Sequence, residues 1–185
     1  MRNFKLVNKL VGMFSLLLVA SGVNAATLTL VPTGMETVNV GESVTYNIEA
    51  DFGTALTSGG SLDLSFAPTG IVDVSAASVD ATLFEAVNTA DVTVGNVFME
   101  GLTFTDETGT FIFGTITFIA QAVGLVDLTL TPSVWGDCCG TEIPVTNIST
   151  AQINVVPIPP AIWLLGSGIV GLIGMARRKR TTVAA

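Results

Sequence analysis

Residues 60–66 read GSLDLSF, and this stretch decides the fold class because apolar and polar side chains alternate along it. A period of two places its three large apolar side chains on one face of an extended strand and the polar side chains on the other. The same alternation recurs at 44–49 and at 128–130. This pattern is typical of strands that bury one face, and it predicts an all-β fold.

The surrounding segment, 26–156, contains thirteen glycines. Short segments rich in Val, Thr, Ile and Phe lie between the glycines, which is typical of a sandwich or barrel of short strands. A segment of this length buries enough surface to form a core of its own. We therefore predict one β-sandwich domain over 26–155, in which 76–87 also allows one short helix.

The charged residues are segregated along the chain. All fifteen carboxylates lie between Glu36 and Glu142, a region without Lys, Arg or His, and the seven cations lie only at the two ends. A segment that carries carboxylates and no cation does not neutralise phosphates, which excludes nucleic acid as a partner. A chain without histidine also lacks the commonest general base and the His-activated nucleophiles. We therefore predict no catalytic residue, metal or cofactor; a pair of carboxylates that hydrolyses a glycoside is the one enzymatic alternative.

The N-terminal residues 1–25 have the pattern of a secretory signal peptide. Three cations precede an apolar run at 10–20, and small residues lead up to Ala25. The run is too short to span a bilayer comfortably, and the order of charge, apolar run and small residues fits cleavage after Ala25 by signal peptidase. The mature chain is expected to begin at 26, outside the cytoplasm.

The C-terminal residues have the pattern of a second targeting segment. An uncharged apolar run at 161–176 ends in a basic cluster, after which a short tail occupies 181–185. An apolar helix that ends in a basic cluster predicts a transmembrane helix whose basic end stays in the cytoplasm, and its glycines form a small-residue face that favours close helix approach. The residues concerned are Trp163 near the outer interface, Gly166, Gly168, Gly171 and Gly174 along the helix, and Arg177, Arg178, Lys179 and Arg180 in the cluster.

A proline-rich entry formed by Val156, Pro157 and Pro159 precedes this glycine-rich helix and its basic end. Together, these features over 156–180 closely resemble the PEP-CTERM sorting signal of Gram-negative bacteria. The resemblance implies processing by exosortase, a membrane protease–transpeptidase, and passage from the inner membrane to the cell surface or the extracellular polysaccharide matrix. Ile158 stands where that family has Glu. The alternative is an ordinary membrane anchor that is never cut.

The central segment contains a series of short blocks in a characteristic order. They are VGESVTYNI at 40–48, GSLDLSF at 60–66 followed by Pro68, IVDV at 71–74, GTITFIA at 114–120, Gly124, and LTL at 128–130. In this order the blocks resemble the cohesin-like domain, although Ala67 stands where that family usually has Asp. The resemblance implies a nine-stranded jelly-roll sandwich that binds without catalysis.

Cys138 and Cys139 are the only cysteines, and the glycines on either side of this adjacent pair are typical of a turn. Outside the cytoplasm thiols are open to oxidation, and three interpretations stay open: a strained disulfide between the neighbours, a link to another chain, or two free thiols. Two thiolates alone do not complete a metal site. The acidic stretch DETG at 106–109 is the densest carboxylate cluster, and it fits either a calcium site or a hairpin turn.

These observations predict a non-enzymatic exported protein that serves in display, adhesion or structure at the cell surface or in the matrix. Its expected partners are signal peptidase and exosortase during processing, the membrane through the C-terminal helix, and then matrix polysaccharide or a protein. One alternative is a periplasmic binding module that stays anchored in the membrane and binds one specific protein. The other is the carboxylate-dependent, carbohydrate-active enzyme.

Overall fold

The computed structural model describes residues 25–158 and 160–178. Within these ranges the chain forms eleven strands and, after them, one helix. The elements are β1 (Ala26–Pro32), β2 (Thr37–Asn39), β3 (Ser43–Asp51), β4 (Thr57–Ala67), β5 (Val72–Val79), β6 (Val87–Thr93), β7 (Asn96–Glu107), β8 (Thr110–Ala120), β9 (Gly124–Gly136), β10 (Val145–Ile148), β11 (Thr150–Val156) and α1 (Pro160–Arg178).

The strands form two sheets. The five-stranded sheet has the order β10-β1-β3-β8-β5, and the six-stranded sheet has the order β2-β11-β9-β4-β7-β6. The pairs β1–β10 and β2–β11 are parallel, and the other ladders are antiparallel. The all-β sandwich predicted from the alternating stretches is therefore confirmed.

The alternating stretch 60–66 lies in β4 and buries its apolar side chains, as its pattern predicts. In β4, Leu62, Leu64 and Phe66 are buried, and the polar residues between them face outward or lie at the rim. The central strand β3 alternates in the same way, with every second residue buried. Each fully buried large apolar side chain contributes about 1.5–3 kcal/mol to folding, so these two strands anchor the core that joins the sheets.

An aromatic cluster fills one end of the core. The ring of Trp135 lies 4.9 Å from that of Phe113 and 5.1 Å from that of Phe52, measured between centroids. Phe84 lies 5.1 Å from Phe113 in an edge-to-face arrangement. All four side chains are buried. Such contacts add to the energy of burial, and they make this end of the sandwich tightly packed.

Two expectations about the strands are corrected. The short helix allowed at 76–87 is absent, because β5 continues to Val79 and a single turn follows, in which Asp80 accepts a hydrogen bond from the backbone N–H of Thr82. The ladder between β5 and β8 shifts register between Val74 and Ala76, which interrupts the alternation that would have marked a strand. The nine strands implied by the resemblance become eleven here, two of which have only three and four residues.

The structure describes the two predicted targeting segments to different extents. Residues 1–24 of the predicted signal peptide lie outside the described residues, and Ala25 directly precedes β1. The segment 161–176 is helical, as part of α1. Across 25–158 and 160–178, no helix combines the length and hydropathy that a membrane crossing requires, so the predicted transmembrane helix is not supported.

Candidate functional site

The ladder between β4 and β7 is interrupted at one end of the six-stranded sheet. Leu102 pairs with Gly59, but the next pair joins Glu107 to Thr57. Residues 103–106, named here the β7 bulge, therefore stand opposite a single residue of β4. Bulges of this kind bend a strand away from its sheet and redirect its side chains.

The β7 bulge presents an aromatic side chain to solvent. Phe104 is 79% exposed although it belongs to a strand. Val134, on the neighbouring end of β9, is 62% exposed. Exposed apolar residues are ordinary when single, but an exposed aromatic side chain on a strand bulge is a candidate for a binding surface.

Residues 137–142, named here the cysteine loop, lie next to the β7 bulge and close a tight turn after β9. One oxygen of Asp137 accepts the backbone N–H groups of Cys139 at 2.9 Å and Thr141 at 2.7 Å. Gly140 adopts a φ of +84°, which favours glycine. The N–H of Thr141 is the main group that lowers the pKa of Asp137, so this carboxylate acts as the cap of the loop.

A second carboxylate joins the cysteine loop to the β7 bulge. Asp106 accepts the backbone N–H of Cys138 at 3.1 Å through one oxygen and the Cys138 thiol at 3.2 Å through the other. The sulfur atoms of Cys138 and Cys139 lie 3.4 Å apart, unbonded, and both side chains are exposed. Hydrogen bonds with Cys139 and Asp106 raise the pKa of Cys138 to about 12. The disulfide between the two neighbours stays a prediction, since the structure holds them as thiols in contact.

Two clefts flank the cysteine loop. The first has a volume of about 400 Å³ and lies over Gly59 and Gly60 of β4, with Glu100 and Glu142 on its rim. The second, of about 420 Å³, lies between the loop and residues 54–56. Asp137, Thr141 and Glu142 line both clefts, so the position of the cysteine loop sets the shape of each.

The floor of the first cleft depends on two glycines. A Cβ on Gly59 would lie 2.0 Å from the carbonyl oxygen of Gly101. A Cβ on Gly60 would lie 2.4 Å from the indole ring of Trp135 and 2.5 Å from the carbonyl oxygen of Val134. Gly59 therefore leaves room for the backbone of β7, and Gly60 leaves room for the buried ring of Trp135.

The electrostatic character of this site is uniformly acidic. The carboxylates of Glu100, Asp106, Asp137 and Glu142 lie in or beside the clefts, and no Lys, Arg or His lies between 25 and 176. No three His, Cys, Asp or Glu side chains within the described ranges are grouped to hold a metal ion. At the acidic stretch 106–109, the structure shows the hairpin turn that links β7 to β8, in which Gly109 has a φ of +78°.

The described residues of the predicted sorting signal do not line either of these clefts. Val156 ends β11, Pro157 follows it, and Pro159 lies outside the described residues. The helix α1 contains Trp163 and ends at Arg178, just after Arg177, while Lys179 and Arg180 lie beyond the described range. Apart from chain neighbours and the nearby backbone of the helix itself, no atom of the described residues lies within 4 Å of a Cβ built on the helix glycines, which are Gly166, Gly168, Gly171 and Gly174.

Two features of the site are not marked in the sequence. Nothing local distinguishes Phe104 from the phenylalanines that are buried. The contact of Asp106 with Cys138 joins residues 32 positions apart, a separation that no sequence motif marks. The bulge that causes both features follows from an irregular register, for which the Thr-rich sequence 103–105 carries no clear marker.

The folded chain is similar to cohesin modules of known structure. The third cohesin of ScaC from Acetivibrio cellulolyticus, solved in complex with the ScaB dockerin, has a TM-score of 0.60 at 16% identity over 71% of this chain and 99% of that chain. The seventh ScaB type I cohesin from Pseudobacteroides cellulosolvens has a TM-score of 0.58 at 14% identity, over 74% of this chain and 95% of that chain.

A third similar structure comes from outside cellulosomes. The non-cellulosomal cohesin of the hyperthermophilic archaeon Archaeoglobus fulgidus has a TM-score of 0.55 at 14% identity, over 71% of this chain and 91% of that chain. No protein-family model and no curated protein sequence matches the chain. These likenesses establish a cohesin-like β-sandwich as the fold.

Proposed function

We propose that this chain is a non-enzymatic, exported module that binds a protein partner through the site formed by the β7 bulge, the cysteine loop and the two clefts. The observation that carries the proposal is the exposure of Phe104, at 79%, on a bulge whose Asp106 is hydrogen-bonded to the cysteine loop. Three residues of that loop line both clefts. Aromatic side chains in such positions supply much of the energy of protein interfaces.

The kind of partner follows from charge. All fifteen carboxylates lie in the sandwich segment, and that segment has no cation of its own. Charge complementarity speeds association and excludes partners of like charge. The partner surface is therefore cationic, with an apolar pocket that receives Phe104. The dockerin complexes formed by some of the similar cohesins support a protein rather than a polysaccharide as partner.

The absence of catalysis is supported by the chemistry of the carboxyl groups. A glycosidase needs one carboxylic acid that stays protonated near neutral pH, and burial usually raises the pKa of that group. Where the pKa of a described carboxyl departs clearly from its ordinary value, at Glu42, Asp80 and Asp137, hydrogen bonds lower it. None of these three groups therefore suits the role of general acid.

A matched pair of variants tests the binding site. Phe104→Ala removes the exposed ring, and Val94→Ala removes an apolar side chain that is 91% exposed in the turn between β6 and β7. Neither residue is buried, so both variants keep the fold. The full-length protein is immobilised and incubated with surface and secreted proteins of its host. We expect one stoichiometric partner on the wild type and Val94→Ala, bound at least about 30-fold more weakly by Phe104→Ala.

The same experiment can overturn the proposal. Equal binding to Phe104→Ala and Val94→Ala would remove the β7 bulge from the interface. Recovery of glycans without a protein partner would favour a polysaccharide-binding module. Since the partner surface is cationic, raising NaCl to about 0.5 M should weaken binding, and binding that does not respond to salt would contradict the charge argument.

Export and sorting complete the proposal, and they rest on the sequence. The resemblance of 156–180 to the PEP-CTERM signal supports processing by exosortase and display at the cell surface or in the polysaccharide matrix. The alternative, a binding module that stays anchored in the periplasm, retains the same interface but keeps Arg177 and Arg178. The two are separated by the C-terminal peptide of the protein recovered from its host.

A further inference from the structure

The two thiols are not used by the proposed binding function, yet their arrangement is specific. Their sulfur atoms lie 3.4 Å apart on the surface, and only one of them, on Cys138, is held by a carboxylate, through the 3.2 Å contact with Asp106. Adjacent cysteines in an exposed loop can react in turn with one disulfide, because the second sulfur already lies beside the first.

We propose that Cys138, Cys139 and Asp106 form a thiol–disulfide exchange site for neutral or cationic disulfides. Cys139 attacks the disulfide R–S–S–R, forms a mixed disulfide and releases one R–SH. Cys138 then attacks the Cys139 sulfur, gives up its thiol proton to Asp106 or water, and releases the second R–SH. The two thiols lose two electrons and two protons, which reduce one disulfide to two thiols.

The division of roles between the cysteines follows from Asp106. The thiol of Cys138 donates to this carboxylate, which disfavours the thiolate that attacks disulfides. The hydrogen bond with Cys139 and, after it, the one with Asp106 raise the pKa of Cys138 to about 12, which agrees with that geometry. Cys139 has no carboxylate contact at its sulfur in the described hydrogen bonds, so it is the sulfur through which a disulfide enters.

Oxidation also changes the binding site. In the thiol state, both the backbone N–H and the thiol of Cys138 bind Asp106, which holds the cysteine loop to the β7 bulge. A disulfide has no thiol proton to donate, so one of these two hydrogen bonds disappears. The loop that supplies Asp137, Thr141 and Glu142 to both clefts then keeps only the backbone hydrogen bond from Cys138 to Asp106.

The first test follows the products by intact mass. The reduced full-length protein is treated with cystamine, a cationic disulfide, and the reaction is quenched with acid. Wild type is expected to lose two hydrogens without keeping an adduct, and Cys138→Ser to keep one cysteamine on Cys139. A lasting adduct on the wild type, or no reaction of Cys138→Ser, would overturn the two-step exchange.

The second test measures rates and uses a matched carboxylate. Cys139→Ser should react at least about tenfold more slowly than Cys138→Ser, because Asp106 holds the remaining thiol in its protonated form. Adding Asp106→Asn to Cys139→Ser should restore the rate. Adding Glu107→Gln, which removes the same charge one residue away, should not. Equal rates for the two single cysteine variants, or equal effects of the two carboxylate changes, would contradict the assignment.

The third test concerns the class of disulfide. Asp106 and Asp137 both contact the cysteine pair, so at low salt cystamine should react about tenfold faster than the anionic 3,3′-dithiodipropionate. Added NaCl should reduce that ratio. A faster reaction with the anionic disulfide would refute the preference for cationic partners.

Discussion

The substitution Gly60→Ala tests how closely the six-stranded sheet lies on the aromatic cluster. The added methyl group would lie 2.4 Å from the ring of Trp135 and 2.5 Å from the backbone oxygen of Val134. The ring cannot move aside easily, because Phe52 and Phe113 lie 5.1 Å and 4.9 Å from it between centroids. The backbone of β9 is fixed by its ladder with β4.

The expected cost is large for a single methyl group. Overpacking of a well-packed core costs about 1–3 kcal/mol, and two simultaneous clashes with rigid groups place Gly60→Ala near about 3 kcal/mol. For a chain of this size, that loss corresponds to a fall in Tm of roughly 6–12 °C. Urea unfolding followed by far-ultraviolet circular dichroism measures the free energy directly.

Gly34→Ala is the matched control. A Cβ at Gly34 meets no atom within 4 Å, so this variant changes the same residue type without a clash. We expect it to be neutral or to stabilise the protein by up to about 1 kcal/mol, through the loss of freedom in the unfolded chain. A value for Gly60→Ala within about 0.5 kcal/mol of the control would refute the packing argument.

Three further predictions concern charge and hydrogen bonding. Backbone donors lower the pKa of Asp137, so the contribution of Asp137 to folding stability is complete above its unfolded pKa of about 3.9 and is lost as pH falls through its folded pKa. Asp137→Asn should therefore flatten the fall of Tm between pH 5 and 2. Because fifteen carboxylates lie without a cation in the sandwich segment, about 0.5 M NaCl should raise the Tm by roughly 3–5 °C, and an unchanged Tm would contradict this. Tyr46→Phe removes hydrogen bonds to Glu36 and to the Gln152 carbonyl at 3.2 Å and 3.3 Å, and should cost about 1 kcal/mol in urea unfolding, with no loss counting against these bonds.

The regular part of the fold was predictable from the sequence because the central strands bury only one face. In β3 and over 62–66 of β4, every second residue is apolar and buried, so the period of two is visible without a structure. In β6 the sequence VNTADVT lies at an edge, where most residues are exposed. A strand with little buried surface carries little hydrophobic pattern, and such strands were not predicted individually.

The candidate site was only partly predictable. The glycines around Cys138 and Cys139 indicate a turn, and the structure has one there. The partner of Cys138 is Asp106, which the sequence presented as a member of an acidic cluster. Such a contact depends on the register of β7 against β4, and register is a property of the assembled sheet. The exposure of Phe104 has the same origin.

For the C-terminal segment, the sequence pattern predicts both a helix and a targeting role, and the structure bears only on the helix. A helix does form over the predicted apolar run. A Cβ built on any of its four glycines meets no atom elsewhere in the described chain. A targeting signal is recognised by processing enzymes, and its features need not contribute to tertiary packing. The sorting function of 156–180 is therefore tested on the protein recovered from its native host.

The mass of the intact protein and of its C-terminal peptide, measured in separate fractions of its native host, tests the central claim most directly. A display module sorted by its tail should start at 26, end within 157–160, and occur outside the inner membrane. A protein that still carries Arg177 and Arg178 and remains in the inner membrane would contradict sorting and release.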